Sequence, residues 1–595
     1  MPRPLALLAC LLPWFLAGSP VSGQGTRADY DRALRLEERT RDTVLNARVQ
    51  PAWIGNGDHL WYRRDLPGGG REFLLVNAST GEASPLFSLT NLAALISAEG
   101  GKPVDAALFV PADLEVSGDL KQVLFTQEGV RWRFGRDSNR VERATPAAVD
   151  GEGKGTRRRP REQPRPVSPD GRWTVRVRDH NLRLKAAHGE EEKVLSREGN
   201  GDDGYSADVV WSPDSTRLVA WRHVKPQEHK VYYVESSPGD QLQPKLDSID
   251  YLKPGDRIPQ RKPHLFDVEK GTEIPVNDLL FANPWEIDDV HWEPDSSRFF
   301  FVYNQRGHQV MRVLSVDART GVATTVVDER CATFFDYAFK QFHEWIDARH
   351  ELVWMSERDG WNHLYLYDTT TGRVKNPITH GEWVVRGVDR VDSESRRVWF
   401  RAGGVRPGQD PYFVQVCRVN LDGTGLTVLT EGDGTHAVDW SPDHKRFIDR
   451  WSRVDHPPTV ELRDGESGRL IRVLEQADDT AWRAAGFRPP ESFVAKGRDG
   501  TTDIYGVIHR PTRFDAGRKY PVIEHIYAGP QDSYVPKEWH RSYGGQEMAE
   551  LGFIVVQIDG MGTSNRSKKF HDVCWHNLAD AGFPDRIAWI KAAAT

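Results

Sequence analysis

Four copies of one short turn narrow the folds open to this chain. An apolar or aromatic residue precedes [Ser/Glu]-Pro-Asp in Val167-Ser168-Pro169-Asp170, Trp211-Ser212-Pro213-Asp214, Trp292-Glu293-Pro294-Asp295 and Trp440-Ser441-Pro442-Asp443. Each copy runs within a few residues into a strand-like stretch: Trp173-Thr174-Val175, Leu218-Val219-Ala220-Trp221, Phe299-Phe300-Phe301-Val302 and Phe447-Ile448. The prolines lie 44, 81 and 148 residues apart, which is one unit, two units, and three or slightly more. A unit of roughly 40–50 residues is the length of a four-stranded propeller blade. One such turn alone is an ordinary β-turn; four, each leading into a strand, define a repeat. Hairpin tips at 317–321 and 368–372 fall between the third and fourth copies and one at 464–468 follows the fourth, and hairpin patterns precede the first copy at Trp53-Ile54, His59-Leu60-Trp61-Tyr62 and Phe73-Leu74-Leu75-Val76. Residues 51–488 are therefore expected to form a β-propeller of seven or eight four-stranded blades.

Past residue 490 the pattern changes. Phe493-Val494-Ala495 and Ile504-Tyr505-Gly506-Val507-Ile508 read as a hairpin. Residues 522–526 read as a short buried strand ending in Tyr527-Ala528-Gly529-Pro530. A second strand, 553–558, ends in Asp559-Gly560-Met561-Gly562-Thr563, and a helix between the two is stopped by Gly552. Strand, helix, strand with apolar strands begins a doubly wound α/β sheet. A phenol at a strand tip is placed to donate a hydrogen bond where negative charge develops in a tetrahedral intermediate.

The stretches KYPVIEHIYAGP (519–530), LGFIVVQIDGMGTSNRSKKFHD (551–572) and NLADAGFPDRIAWIKAAA (577–594) resemble the catalytic domain of the dipeptidyl peptidase IV branch of the prolyl oligopeptidase family, which are serine peptidases. The resemblance implies a propeller over an α/β-hydrolase domain and acyl-enzyme hydrolysis of short peptides, with Tyr527 helping to form the oxyanion hole. It further implies an N-terminal helix at 24–50 packed by the hydrolase domain, a long blade insertion within 223–262, and homodimerisation. Two departures stand out. Met561 occupies a position where the family usually has Arg. Gly201-Asp202-Asp203-Gly204 stands where aminopeptidase members carry paired glutamates that anchor a terminal ammonium. Asp202 and Asp203 read as hairpin-tip residues, with an amine clamp as the alternative, so dipeptide release does not follow from the resemblance.

The nucleophile of such hydrolases sits in a Gly-x-Ser-x-Gly elbow, and the acid and histidine follow it in chain order. No Gly-x-Ser-x-Gly occurs in the 595 residues, and Thr595 falls at the end of a helix read over 585–594. Residues 490–595 are accordingly expected to be an incomplete doubly wound α/β-hydrolase sheet without catalytic Ser, Asp or His, inactive alone. Val555, Val556 and Ile558 are expected to face an open sheet edge. The alternative reading is a non-catalytic propeller that binds peptide or protein partners. In Ser356-Glu357-Arg358-Asp359-Gly360-Trp361, Glu357 and Arg358 are candidates to face the tunnel and contact substrate backbone. The alternative is a hairpin with solvated charges and a packed Trp361.

A net charge of −7, with charge spread along the chain, gives no footprint for a nucleic-acid partner. No metal-ligand spacing or phosphate loop is present, and no cofactor is expected. Arg3, the apolar run 5–17 and Val21-Ser22-Gly23 read as a signal peptide over 1–23, implying a secreted or periplasmic protein without a transmembrane segment. Cys331, Cys417 and Cys574 then allow at most one disulfide. Residues 27–48 read as one amphipathic helix, and the Arg- and Pro-rich stretch 151–166 as a solvated loop.

Overall fold

A computed structural model describes residues 24–106, 108–144, 166–188 and 190–594. The signal-peptide reading and almost all of the 151–166 loop lie outside these residues.

The repeat becomes a series of antiparallel sheets. Among the described residues there are eight of three or four strands before residue 490, spanning 52–85, 112–143, 173–194, 203–274, 284–330, 343–377, 384–428 and 435–476. Seven have four strands. The third has three, and Val167 adds an isolated bridge to Thr174. The fourth is interrupted by a separate hairpin, Lys230–Glu235 paired with Lys245–Asp250, within the region read as an insertion.

The Ser-Pro-Asp turns owe their shape to a local hydrogen-bond circuit. The Ser168, Ser212 and Ser441 hydroxyls each donate to the Asp two residues on, at 2.6–2.7 Å, and accept an amide five residues on. The residue after the Asp is left-handed in each copy: Gly171, Ser215, Ser296 and His444 have φ of 56–72°. Neighbouring turns also touch. Asp170 N donates to Ser215 Oγ and Asp214 N to Ser296 Oγ, both at 3.1 Å. The repeated sequence thus fixes both the hairpin and its contact with the next sheet.

Apolar clusters join successive sheets, for example Leu184 with Leu218 and Val353 with Phe400. The first and last sheets share one too: Leu60, Tyr62, Leu74 and Val76 pack with Ile448, Val460, Leu462 and Leu474. Tyr62 Oη bridges them, donating to Leu474 O at 3.0 Å and lying 2.9 Å from Glu475 Oε1.

Three expectations need correction. The N-terminal helix is not one rod to residue 48. It is Arg27–Leu34 followed by Leu36–Thr40. Asp42 and Asn46 then take positive φ, and Leu45 pairs through its backbone with Asp478 at 3.0 Å in both directions. The strand at 522–526 is only Val522–Glu524 and is not buried; Val522 is 47% and Ile526 41% exposed. The cause is topology. The sheet order is Glu491–Lys496, Asp503–His509, Ile554–Ile558, Val522–Glu524, which puts Val522–Glu524 at the edge. For the same reason Val555, Val556 and Ile558 do not line an open edge. Both sides of their strand are paired, antiparallel to Asp503–His509 and parallel to Val522–Glu524, and all three are buried.

The helix Phe583–Ala593 packs on the Glu491–Lys496 strand. Trp589 lies edge-on to Phe493 at 5.1 Å, and a Cβ on Gly506 would lie 2.6 Å from the Trp589 ring, so only glycine allows that approach. Met561, with no assigned role in the sequence, packs in this core with Phe570 and Trp589.

Candidate active site at the junction of the sheets and the hydrolase segment

Two adjacent residues in the first turn of Phe583–Ala593 organise the loops around Tyr527. Asp585 is fully buried and accepts from Met561 N at 2.9 Å and from Arg498 N at 2.8 Å, with an ion pair to the Arg498 guanidinium at 2.8 Å. Arg586 is buried as well. It donates to Ile558 O at 2.6 Å, Tyr527 O at 2.8 Å and Ala581 O at 2.9 Å, and pairs with Glu524. A buried guanidinium persists when its donors are satisfied, and here three backbone carbonyls and a carboxylate satisfy them. The Tyr527 main chain is thereby pinned. Its hydroxyl remains accessible, donating to Gln531 Oε1 at 3.2 Å, with Tyr534 5.5 Å away ring to ring.

The other end of the Tyr527–Pro530 loop is tied to the sheets. His571 Nε2 lies 2.6 Å from Pro530 O, and its Nδ1 lies 3.2 Å from Lys340 Nζ. An ammonium only donates, so Nδ1 accepts and Nε2–H donates to the carbonyl. Burial, reinforced by Lys340, pushes the His571 pKa down to about 3, so the ring is neutral at neutral pH. Around it, Lys340 donates to Glu357 at 2.8 Å, and Lys568 donates to Asp572 at 2.9 Å and to Phe334 O at 2.8 Å. Ser564 Oγ lies 3.3 Å from Asp336 Oδ2, and burial raises the Asp336 pKa. Lys568 N donates to Gly360 O at 2.8 Å.

The sequence candidates therefore occupy different surroundings. Tyr527 is at a pinned loop with a reachable phenol. Glu357 is buried between Lys340 and Lys568 in the junction. Arg358 pairs with Glu329, touches Tyr367 Oη at 2.5 Å and lies over the Tyr365 ring at 4.3 Å. On the strand after the hairpin of Glu357 and Arg358, His363 is not one of the candidates and is buried against Trp383, with Thr379 and Gly381 as hydrogen-bond partners. Asp203 bonds Arg222 at 2.7 Å, while Asp202 is exposed. Cys331, Cys417 and Cys574 are all free thiols. Sequence reasoning missed Asp585, Arg586, His571 and Lys340. The only signal for the first two was an acid and an arginine after Pro584 in a helix's first turn.

These features define a protein of successive antiparallel sheets joined to a hydrolase-type α/β segment. Comparison with known proteins agrees. Residues 117–458 match the dipeptidyl peptidase IV (DPP IV) N-terminal region, and residues 539–595 match the prolyl oligopeptidase family. The chain belongs to the dipeptidyl peptidase IV-like prolyl oligopeptidase family. It is 25% identical to a probable dipeptidyl-aminopeptidase B of Aspergillus fumigatus over 82% of this chain and 57% of that protein. It is 24% identical to one of Sordaria macrospora over 96% of this chain and 64% of that protein. The chain thus spans little more than half the length of the first of these relatives. The dipeptidyl peptidase 4 structure of Porphyromonas gingivalis aligns with TM-score 0.57 at 20% identity, over 92% of this chain and 76% of that one. A putative dipeptidyl aminopeptidase IV of Bacteroides ovatus gives 0.55 at 20% identity, over 92% and 78%.

Proposed function

We propose that this chain supplies the propeller and the oxyanion side of a serine peptidase acting on short peptides. In this reading the eight sheets are blades of one ring, supported by the apolar cluster shared by the first and last. The observation that carries the reading is the Tyr527–Pro530 loop, clamped by Arg586 at one end and by His571 at the other while its phenol stays accessible. A fixed donor beside a reacting carbonyl stabilises the developing oxyanion without reorganising during the reaction. Glu357 acts here as part of the junction that positions this loop, and Arg358 as a tunnel-facing charge balanced by Glu329. Asp203 is occupied by Arg222, so recognition of a terminal ammonium by a carboxylate pair is not assigned.

A polypeptide of these 595 residues has no Gly-x-Ser-x-Gly and is expected to be inactive alone. The leader reading supports export. The hairpin at 230–250, with Tyr232, Val234 and Leu246 exposed, supports self-association into a homodimer. No helix among the described residues is long and apolar enough to cross a membrane.

The test is to expose the purified 595-residue polypeptide to a fluorophosphonate probe and to Ala-Pro and Ala-Ala p-nitroanilides. No labelled serine and no hydrolysis are expected. Stoichiometric labelling of any serine would refute the reading that residues 1–595 hold the oxyanion donor without a nucleophile.

A further inference from the structure

A cavity of about 1310 Å³ opens where the fourth and fifth sheets meet, at the end away from the Ser-Pro-Asp turns. It is lined by the end of the strand Arg217–Val224, the start of Pro284–Trp292 and the turn at 306–308. The turn at 306–309 holds the place in its sheet that 357–362 holds in the next, and that second turn meets the hydrolase segment through Gly360 and Lys568. The cavity therefore lies at the end of the sheets that faces the candidate site.

Its lining is electrostatically one-sided. Among the lining residues, Lys225, Lys253, Arg261 and Arg306 outnumber one carboxylate, Glu286, in a chain whose net charge is −7; behind the lining, Asp256 accepts from the Lys253 amide at 2.7 Å and lies 3.7 Å from His229. Arg261 is engaged by Asp288 at 3.2 Å, and Lys225 lies 3.8 Å from Asp202. Lys253 and Arg306 make no side-chain ion pair among the described residues. Beside them is a ring platform. Trp285, 42% exposed, lies 5.1 Å from His308, and His308 stacks on Tyr337 at 4.3 Å. Tyr337 adjoins Asp336, which Ser564 of the hydrolase segment contacts. Pro226, Pro254, Pro259 and Pro284 stiffen the walls, lowering the ordering cost of binding.

We propose that this cavity binds an acidic peptide segment. Its carboxylates sit on Lys253 and Arg306, and an apolar or ring side chain lies on the Trp285–His308 platform. The inference rests on the peptidase reading and deepens it by naming the substrate class. Charge complementarity selects an anionic occupant, and flat rings beside the cations favour a chain carrying apolar side chains over a bare polyanion.

The experiment uses the full chain and three fluorescein-tagged peptides of one sequence, carrying Asp/Glu, Asn/Gln or Lys at the same positions. Anisotropy titrations are run at low and high salt. The acidic peptide is expected to bind about tenfold more tightly than its amide counterpart, with the gap closing at high salt. In the double variant Lys253→Gln/Arg306→Gln the acidic peptide should lose about tenfold in affinity while the amide peptide is unchanged. Arg306→Lys alone should retain the preference. Both side chains are at the surface, and thermal unfolding checks that the variants fold. Equal affinity for acidic and amide peptides, or no effect of the double variant, overturns the inference while leaving the peptide-binding protein intact. Failure of all three peptides to bind overturns the peptidase reading along with it.

Discussion

Lowering the pH should reduce the stability of the folded chain through one residue of the Tyr527 clamp, His571. The imidazole is fully buried, donates to Pro530 O and accepts from Lys340. The charged groups facing it are Lys340 and Lys568 on one side of the balance and Glu357, Asp336 and Asp572 on the other. Its pKa falls from 6.5 to about 3. A depressed histidine pKa gives stability that is whole above pH 6.5 and lost as pH falls toward 3, because the unfolded chain takes up the proton that the folded ring refuses. At pH 5, about 1.5 units below the ordinary value, the loss is about 2 kcal/mol. His509, lowered to about 4 by burial, adds a loss of the same sign. Urea unfolding followed by fluorescence at pH 7.5 and pH 5 measures the sum, and His571→Gln isolates one share. The wild type should lose roughly 2 kcal/mol more than the variant over this interval. An identical pH dependence in the two proteins would refute the neutral, clamping imidazole.

Arg586→Met leaves the Tyr527 and Ile558 carbonyls without their donor and Glu524 without its partner. It should cost about 3–5 kcal/mol, seen as a lowered thermal transition; a shift below 1 °C would contradict the pinning role. Tyr62→Phe removes the hydroxyl that joins the first and last sheets at Leu474 and Glu475. It should cost about 1–2 kcal/mol and speed hydrogen exchange in the strands His59–Asp65 and Leu470–Gln476. Unchanged exchange in both strands would count against a ring closed there.

The sheets were legible because their signals are local. Ser168, Pro169 and Asp170 build their turn within six residues, and the same chemistry recurs at Ser212 and Ser441. What eluded the sequence depends on partners far along the chain. The helix after Thr40 stops where Leu45 finds Asp478, and Val522 is at an edge because Ile554–Ile558 sits between it and Asp503–His509. Arg586 reaches a carbonyl at Tyr527, and Lys340 reaches His571. No periodicity marks such contacts. Glu357 illustrates the difference: its hairpin was readable, but its burial between two lysines was not.

In the proposed function, peptides are received at the junction between the sheets and the Tyr527 loop. Photo-crosslinking with a short benzophenone-bearing peptide, followed by mass-spectrometric mapping on the whole chain, tests it most directly. Adducts are predicted on the 527–534 loop and on the facing residues 334–340, and competition by unlabelled peptide should remove them. Adducts confined to the outer faces of the sheets, or unaffected by competitor, would contradict it.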